Sequence, residues 1–143
     1  MANFNGTWFH DGSKDGWERY DEFMDLMGLK EAKDSYRNAS TTSKFDVKGN
    51  VWTVTHSNST IEGEKTHVIE VGKEFADKNL DGSDIKVVLE VKNDNEVQES
   101  EQSNMEDGEW RSYKIVRQIS GDSMTVTIHS KGKSMAYKMK RVK

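Results

Sequence analysis

The chain has 143 residues, a length that suits a single domain. It contains no cysteine, which excludes disulfides, thiolate catalysis and thiolate metal sites. Its formal charge of −4 is spread over segments of mixed sign, without the basic stripe that tracks nucleic acid.

No apolar run approaches the roughly 20 residues that span a bilayer. The start lacks a basic, apolar, small-residue leader, so a cytoplasmic setting is expected, with secretion the alternative if a leader was removed. Only 33% of residues are hydrophobic, low for a globular domain. Aromatic residues nevertheless recur in every segment, and the charge is well mixed, so a folded domain with a partly wet interior is expected instead of disorder.

"FNGTW" (residues 4–8) reads as an opening strand. Tyr20, Phe23, Met24 and Met27 then recur at helical spacing and form one apolar stripe. Ser13 or Asp15 is placed to cap that helix, and Gly28 sits where a left-handed C-cap belongs. A weaker helix is predicted from Glu31 to about Ala39, with Ala32 and Tyr36 on one face, before "NASTTS" (38–43) breaks it.

From Lys44 onward the pattern is alternation punctuated by turns. Turns are predicted at Lys48-Gly49-Asn50, Glu62-Gly63-Glu64, Asp81-Gly82-Ser83 and "KNDN" (92–95). Further turns fall at Asp107-Gly108, Ser120-Gly121-Asp122 and Lys131-Gly132. Turns this close imply consecutive antiparallel strands, and the lack of proline suits uninterrupted ladders. "TVTHSNST" and "VQESEQS" offer polar residues to both faces, where a dry core demands apolar residues on one. A closed barrel with a hydrated interior reconciles the two, and the early helix would dock at its mouth.

Five pieces, in order, resemble the intracellular lipid-binding proteins, the fatty-acid-binding and cellular retinoid-binding group of the calycin superfamily. They are "FNGTW", "ERYDEFMDLMGL", "FDVKGNVWTVTHSNST", "GKEFADKNLDGSDIKVVLEV" and the gap-free end "YKIVRQISGDSMTVTIHSKGKSMAYKMKRV". The resemblance implies an all-β fold over residues 1–143: a ten-stranded antiparallel β-clam. A helix-turn-helix lid, at about 16–40, would lie between the first and second strands. It places Trp8 inward on the first strand. It also implies a non-catalytic monomeric carrier that reversibly binds a long-chain fatty acid or similar amphipathic lipid, without a cofactor and with transient membrane contact through the lid.

The family's carboxylate clamp is an Arg plus an R-x-Y motif on the last strand. Arg117 falls on the first of these, but Tyr137 stands at the second Arg and Met139 at the Tyr, so the clamp is incomplete. Arg117 and Tyr137 are the expected head-group contacts, because a guanidinium fork and a phenol can share two carboxylate oxygens; the alternative is that Arg117 pairs with a Glu of a neighbouring strand or faces solvent. Tyr20, Phe23 and Met24 on the lid helix, and Ile61 at the family's portal position, are the expected tail contacts. "DGSKDGW" and "SNMEDGEW" look like lengthened surface loops.

His10, His56, His67 and His129 are scattered singly without metal-ligand spacing, and structural or solvent-exposed roles are expected for each. The acidic run "ESEQSNMEDGE" (99–109) reads as a solvated hairpin, and no carboxylate pair is marked for acid–base work. Three glycosylation sequons, at Asn5, Asn38 and Asn58, matter only in a secreted protein. They also suit the second expectation: a heat-soluble protective protein on the same fold, like the tardigrade secretory-abundant heat-soluble proteins, which resemble this family.

Overall fold

The computed structural model describes residues 2–10, 17–26, 39–79, 82–104, 108 and 110–142. The predicted caps at Ser13, Asp15 and Gly28, the second lid helix and most of the lengthened loops lie outside the described residues. After a 3-10 turn at Ala2–Phe4, strand β1 (Gly6–His10) leads to a two-residue strand β2 (Trp17–Glu18) and helix α1 (Tyr20–Leu26). Nine strands follow: β3 (Thr41–Lys48), β4 (Val51–Asn58), β5 (Ile61–Glu70), β6 (Phe75–Lys78), β7 (Asp84–Asn93), β8 (Glu96–Asn104), β9 (Trp110–Ser120), β10 (Ser123–Ser130) and β11 (Lys133–Val142).

Every described strand pair is antiparallel, in the order β5-β4-β3-β1-β11-β10-β9-β8-β7-β6, with the short β2 joined to β11. Ten strands therefore wrap into a nearly closed barrel with a helix inserted between β1 and β3, the β-clam that the resemblance implies. The tight turns follow local backbone chemistry. Lys131 and Gly132 have φ of 51° and 76°, both positive, which matches the right-handed twist of the strands they join. One turn departs from the glycine signal. The β4–β5 reversal lies at Ser59-Thr60, not at Glu62-Gly63-Glu64, because Asn58 Oδ1 accepts from the Thr60 amide at 2.8 Å and its hydroxyl at 2.6 Å.

Alternation sorts the side chains. Trp52 and Val54 on β4, Leu89 on β7 and Met124 and Val126 on β10 join Phe4, Trp8, Phe45 and Met139 in a dry core at one end. Trp8 Nε1 donates to the Phe4 carbonyl at 3.1 Å, and the Arg141 guanidinium lies 4.2 Å from the Trp8 ring. Gly6 permits this close approach: a Cβ there would stand 3.0 Å from Arg141 Nη1. The rings of Phe4, Phe45 and Trp52 interlock with centroids 5.3 to 6.3 Å apart.

At the opposite end α1 presses Tyr20, Phe23 and Met24 against Met135, with Tyr113 and Ile128 beside them. Burial of each such side chain contributes about 1.5–3 kcal/mol, enough to hold a helix too short to persist alone. A surface ion pair, Lys133 Nζ to Glu22 Oε1 at 2.9 Å, spans the same junction.

The barrel is not sealed by a ladder between β5 and β6. Side chains bridge that seam instead. His67 Nε2 donates to the Lys78 carbonyl at 3.1 Å, its ring packs 5.1 Å from Phe75, and Lys65 Nζ pairs with Asp77 Oδ2 at 3.2 Å. No helix among the described residues is long and apolar enough to cross a membrane.

Candidate functional site

Between the dry core and the helical end lies a cavity of about 270 Å³. Ile61, Ile69, Ile85, Val87 and Ile115 supply apolar wall, which leaves the polar lining to be explained. On β9 the inward positions are Tyr113, Ile115 and Arg117; on β8 they are Val97, Glu99, Glu101 and Ser103. The register sets Val97 opposite Arg117 and Glu99 opposite Ile115, so Glu99 reaches Arg117 along the diagonal. Arg117 Nε donates to Glu99 Oε2 at 3.1 Å, and the two side chains are only 6% and 10% exposed. On the other side, Val126 pairs with both Arg117 and Tyr137, which brings the phenol to the same face as the guanidinium.

Arg117 is thus enclosed by groups of this chain. Its guanidinium lies 5.4 Å from the Phe45 ring, Nη1 is 4.0 Å from Met124 Sδ, and Tyr137 shares a hydrogen bond with it. Burial alone would lower the guanidinium's pKa. The Glu99 charge, with smaller help from Tyr137 and Glu101, more than offsets this, and the net shift is upward. Arg117 therefore stays charged, and Glu99 is its built-in counter-ion.

Four further titratable groups of the lumen are held toward their neutral forms. Burial, reinforced by the neighbouring Glu99 charge, pushes the Glu101 carboxyl up to about 8. Tyr113, directly opposite Glu101 in the register, donates to Glu101 Oε1 at 3.3 Å, and burial lifts its own pKa well above the ordinary phenol value. Burial, then Arg117 and His67, lower His56 to about 3, so its imidazole is uncharged. His56 Nδ1 bonds Ser43 Oγ at 2.9 Å. Burial likewise raises the Tyr137 phenol.

Of the residues singled out in the sequence, Arg117, Tyr137 and Ile61 border the cavity. Tyr20, Phe23 and Met24 are buried where α1 meets the barrel, and Met139 is fully buried in the dry core. Sequence reasoning missed Glu99 and Glu101. It assigned their acidic run to a solvated hairpin, whereas the structure buries Glu99 against Arg117. The usable signal was the two-residue alternation that places Glu99 on the face of Val97. His56 and His67 also border the cavity, although no group of His, Asp and Glu among the described residues is arranged to hold a metal ion.

A wider depression of about 630 Å³ is bounded largely by Lys86, Val88, Ser100, Gln102, Ser112 and Lys114. These alternate with the inward positions of β7 to β9, which puts it on the outer side of the sheet from Arg117.

No family model matches the chain. A fatty acid-binding protein type 2 of Fasciola hepatica is 27% identical over 131 residues, covering 90% of this chain and 89% of its own length. A fatty acid-binding protein of Lepidoglyphus destructor is 27% identical over 142 residues, 99% of each chain. The Schistosoma mansoni fatty acid binding protein, solved in complex with arachidonic acid, superposes with a TM-score of 0.81 at 21% identity, over 100% of this chain and 98% of that one. Over nearly its whole length the chain is similar in sequence to fatty acid-binding proteins, and it shares the fold of the solved ones. Of the expected clamp positions, Tyr137 borders the cavity beside Arg117, Met139 is buried in the core, and Glu99 pairs with the guanidinium.

Proposed function

We propose that this protein is a non-catalytic carrier. It reversibly holds one single-chain lipid, a fatty acid or a relative with another small head, in the barrel lumen. The observation that carries the reading is the cavity itself: apolar wall below a helical end, with one buried charged centre at Arg117 to receive a polar head. Each methylene that leaves water contributes about 0.8 kcal/mol, so the tail supplies most of the affinity and the polar centre sets its orientation. Release requires α1 and the adjoining turns to part from Met135, a lid motion of the kind that gates ligand exchange.

The test is displacement of a neutral, environment-sensitive dye from the purified protein by C16 to C20 single-chain lipids, with mass spectrometry of the organic extract. One-to-one displacement and a co-purified lipid are expected. A protein that binds neither dye nor any lipid of the series is not a carrier.

A further inference from the structure

The carrier reading leaves the head group open, and the charge arrangement narrows it. This inference rests on that reading and concerns the same site. An ionised fatty acid needs an unclaimed cation in the lumen, because a carboxylate taken from water without a partner is strongly disfavoured. Among the described residues, the buried guanidinium or ammonium bordering this cavity is Arg117, whose Nε already donates to Glu99 Oε2 at 3.1 Å. The pair sums to zero. His67, which also borders the cavity, lies 3.8 Å from Asp77 Oδ2. Lys65, nearer the seam, is matched in the same way by Asp77 at 3.2 Å. A ligand carboxylate placed at Arg117 would therefore share its cation with a second carboxylate that is fixed to β8 and shielded from water. Like charges at such a distance in a poorly solvated space repel strongly.

Uncharged hydrogen-bonding groups, by contrast, are abundant around the cavity. Tyr113 and Tyr137 carry hydroxyls, Asn58 carries an amide and Thr41 a hydroxyl. Tyr113 donates to Glu101 and Asn58 Nδ2 donates to Thr41 Oγ1 at 3.1 Å, yet each hydroxyl keeps an acceptor lone pair and the amide a second N–H for a ligand. With Nδ1 of His56 engaged by Ser43, the imidazole's second nitrogen serves as donor or acceptor according to tautomer. Such a lining satisfies a hydroxyl, an ester or an amide without moving a proton or an ion.

We infer that the lumen selects single-chain lipids with an uncharged, hydrogen-bonding head, such as a fatty alcohol, a primary fatty amide or a monoacylglycerol, over the ionised fatty acid, because Glu99 already occupies the guanidinium that a carboxylate would need. The long tail is common to both classes, so the discrimination lies wholly in the head.

The experiment is competition of oleyl alcohol, oleamide and oleate against the same neutral dye at pH 7.5, in the wild-type protein and in Glu99→Gln. In the wild type, oleyl alcohol and oleamide should bind at least tenfold more tightly than oleate. In Glu99→Gln, the ratio of oleyl alcohol affinity to oleate affinity should fall at least tenfold, which closes or inverts the preference. Because the single variant strands a buried guanidinium, the double variant Glu99→Gln/Arg117→Gln is measured beside it. With the cation gone as well, oleate should fall at least tenfold from its affinity for Glu99→Gln. Tighter binding of oleate than of both neutral lipids by the wild type overturns the inference and leaves the carrier reading standing, as does an unchanged preference in a folded Glu99→Gln. Failure of every lipid to displace the dye overturns the carrier reading and the head-group inference together.

Discussion

The two halves of the barrel use the same strands for opposite ends. Toward the turns at Gly49 and Gly121, the inward positions are Trp8, Phe45, Trp52, Met124 and Met139, all buried in one cluster. Toward α1 the same alternation delivers His56, Glu99, Glu101, Tyr113 and Arg117, and a cavity remains. The lesson is a division of labour along each strand: one half supplies the packing that stabilises the fold, and the other spends part of that stability on an enclosed polar site.

The largest test of this contrast is Trp52→Ala. Removing a fully buried tryptophan from the dry half should cost about 3–5 kcal/mol in urea unfolding. A loss below about 1 kcal/mol would mean that half is not the source of stability. Next comes the buried pair. Glu99→Leu leaves Arg117 charged and alone and should cost about 3 kcal/mol, whereas Glu99→Leu with Arg117→Met should recover most of it. If the double variant is no more stable than the single one, the two side chains are not coupled.

The polar half should also impose its own pH profile, smaller than either substitution. Glu101 has its folded pKa raised from 4.5 to about 8, so the folded state binds the extra proton within that window. Its contribution to stability is complete below pH 4.5 and is lost as pH rises toward 8. His56 is lowered from 6.5 to about 3, so the unfolded state takes up the extra proton as pH falls below 6.5, and stability declines toward 3. The two trends oppose each other between 4.5 and 6.5, and maximal stability should fall there. Glu101→Gln should flatten the alkaline limb between 6.5 and 8; a wild-type profile that climbs steadily through that range contradicts the assignment. Least of all, Lys133→Ala should change stability by no more than about 0.5 kcal/mol, since its ion pair with Glu22 is well exposed on both sides. A larger loss would assign that pair a part in holding α1 down.

The dry half was legible in the sequence because its alternation is apolar against polar: "VWTV" around Trp52 and "MTVT" around Met124 each declare an inside face. The polar half was harder to read, because "VQESEQS" is polar on both faces and only Val97 marks which side faces the lumen. Arg117 could be placed from the gap-free terminal strands, but its partner depends on the β8–β9 register, a diagonal relation between Glu99 and Arg117 that spacing along one strand does not encode. The Ser59-Thr60 turn was hidden for a different reason. Gly63, with φ of 87°, attracted the prediction, yet it lies within β5, and the side chain of Asn58 directs the reversal.

The seam bridged by His67, Lys65 and Asp77 has a consequence for how the protein tolerates crowding. A gap in the ladder leaves two strand edges whose peptide groups are a template for a neighbouring molecule. β5 carries Glu62, Glu64, Lys65 and Glu70 along that edge, and β6 answers with Asp77 and Lys78. A neighbour that tried to extend the sheet would have to strip water from these charges, a cost that opposes edge-to-edge pairing at this seam.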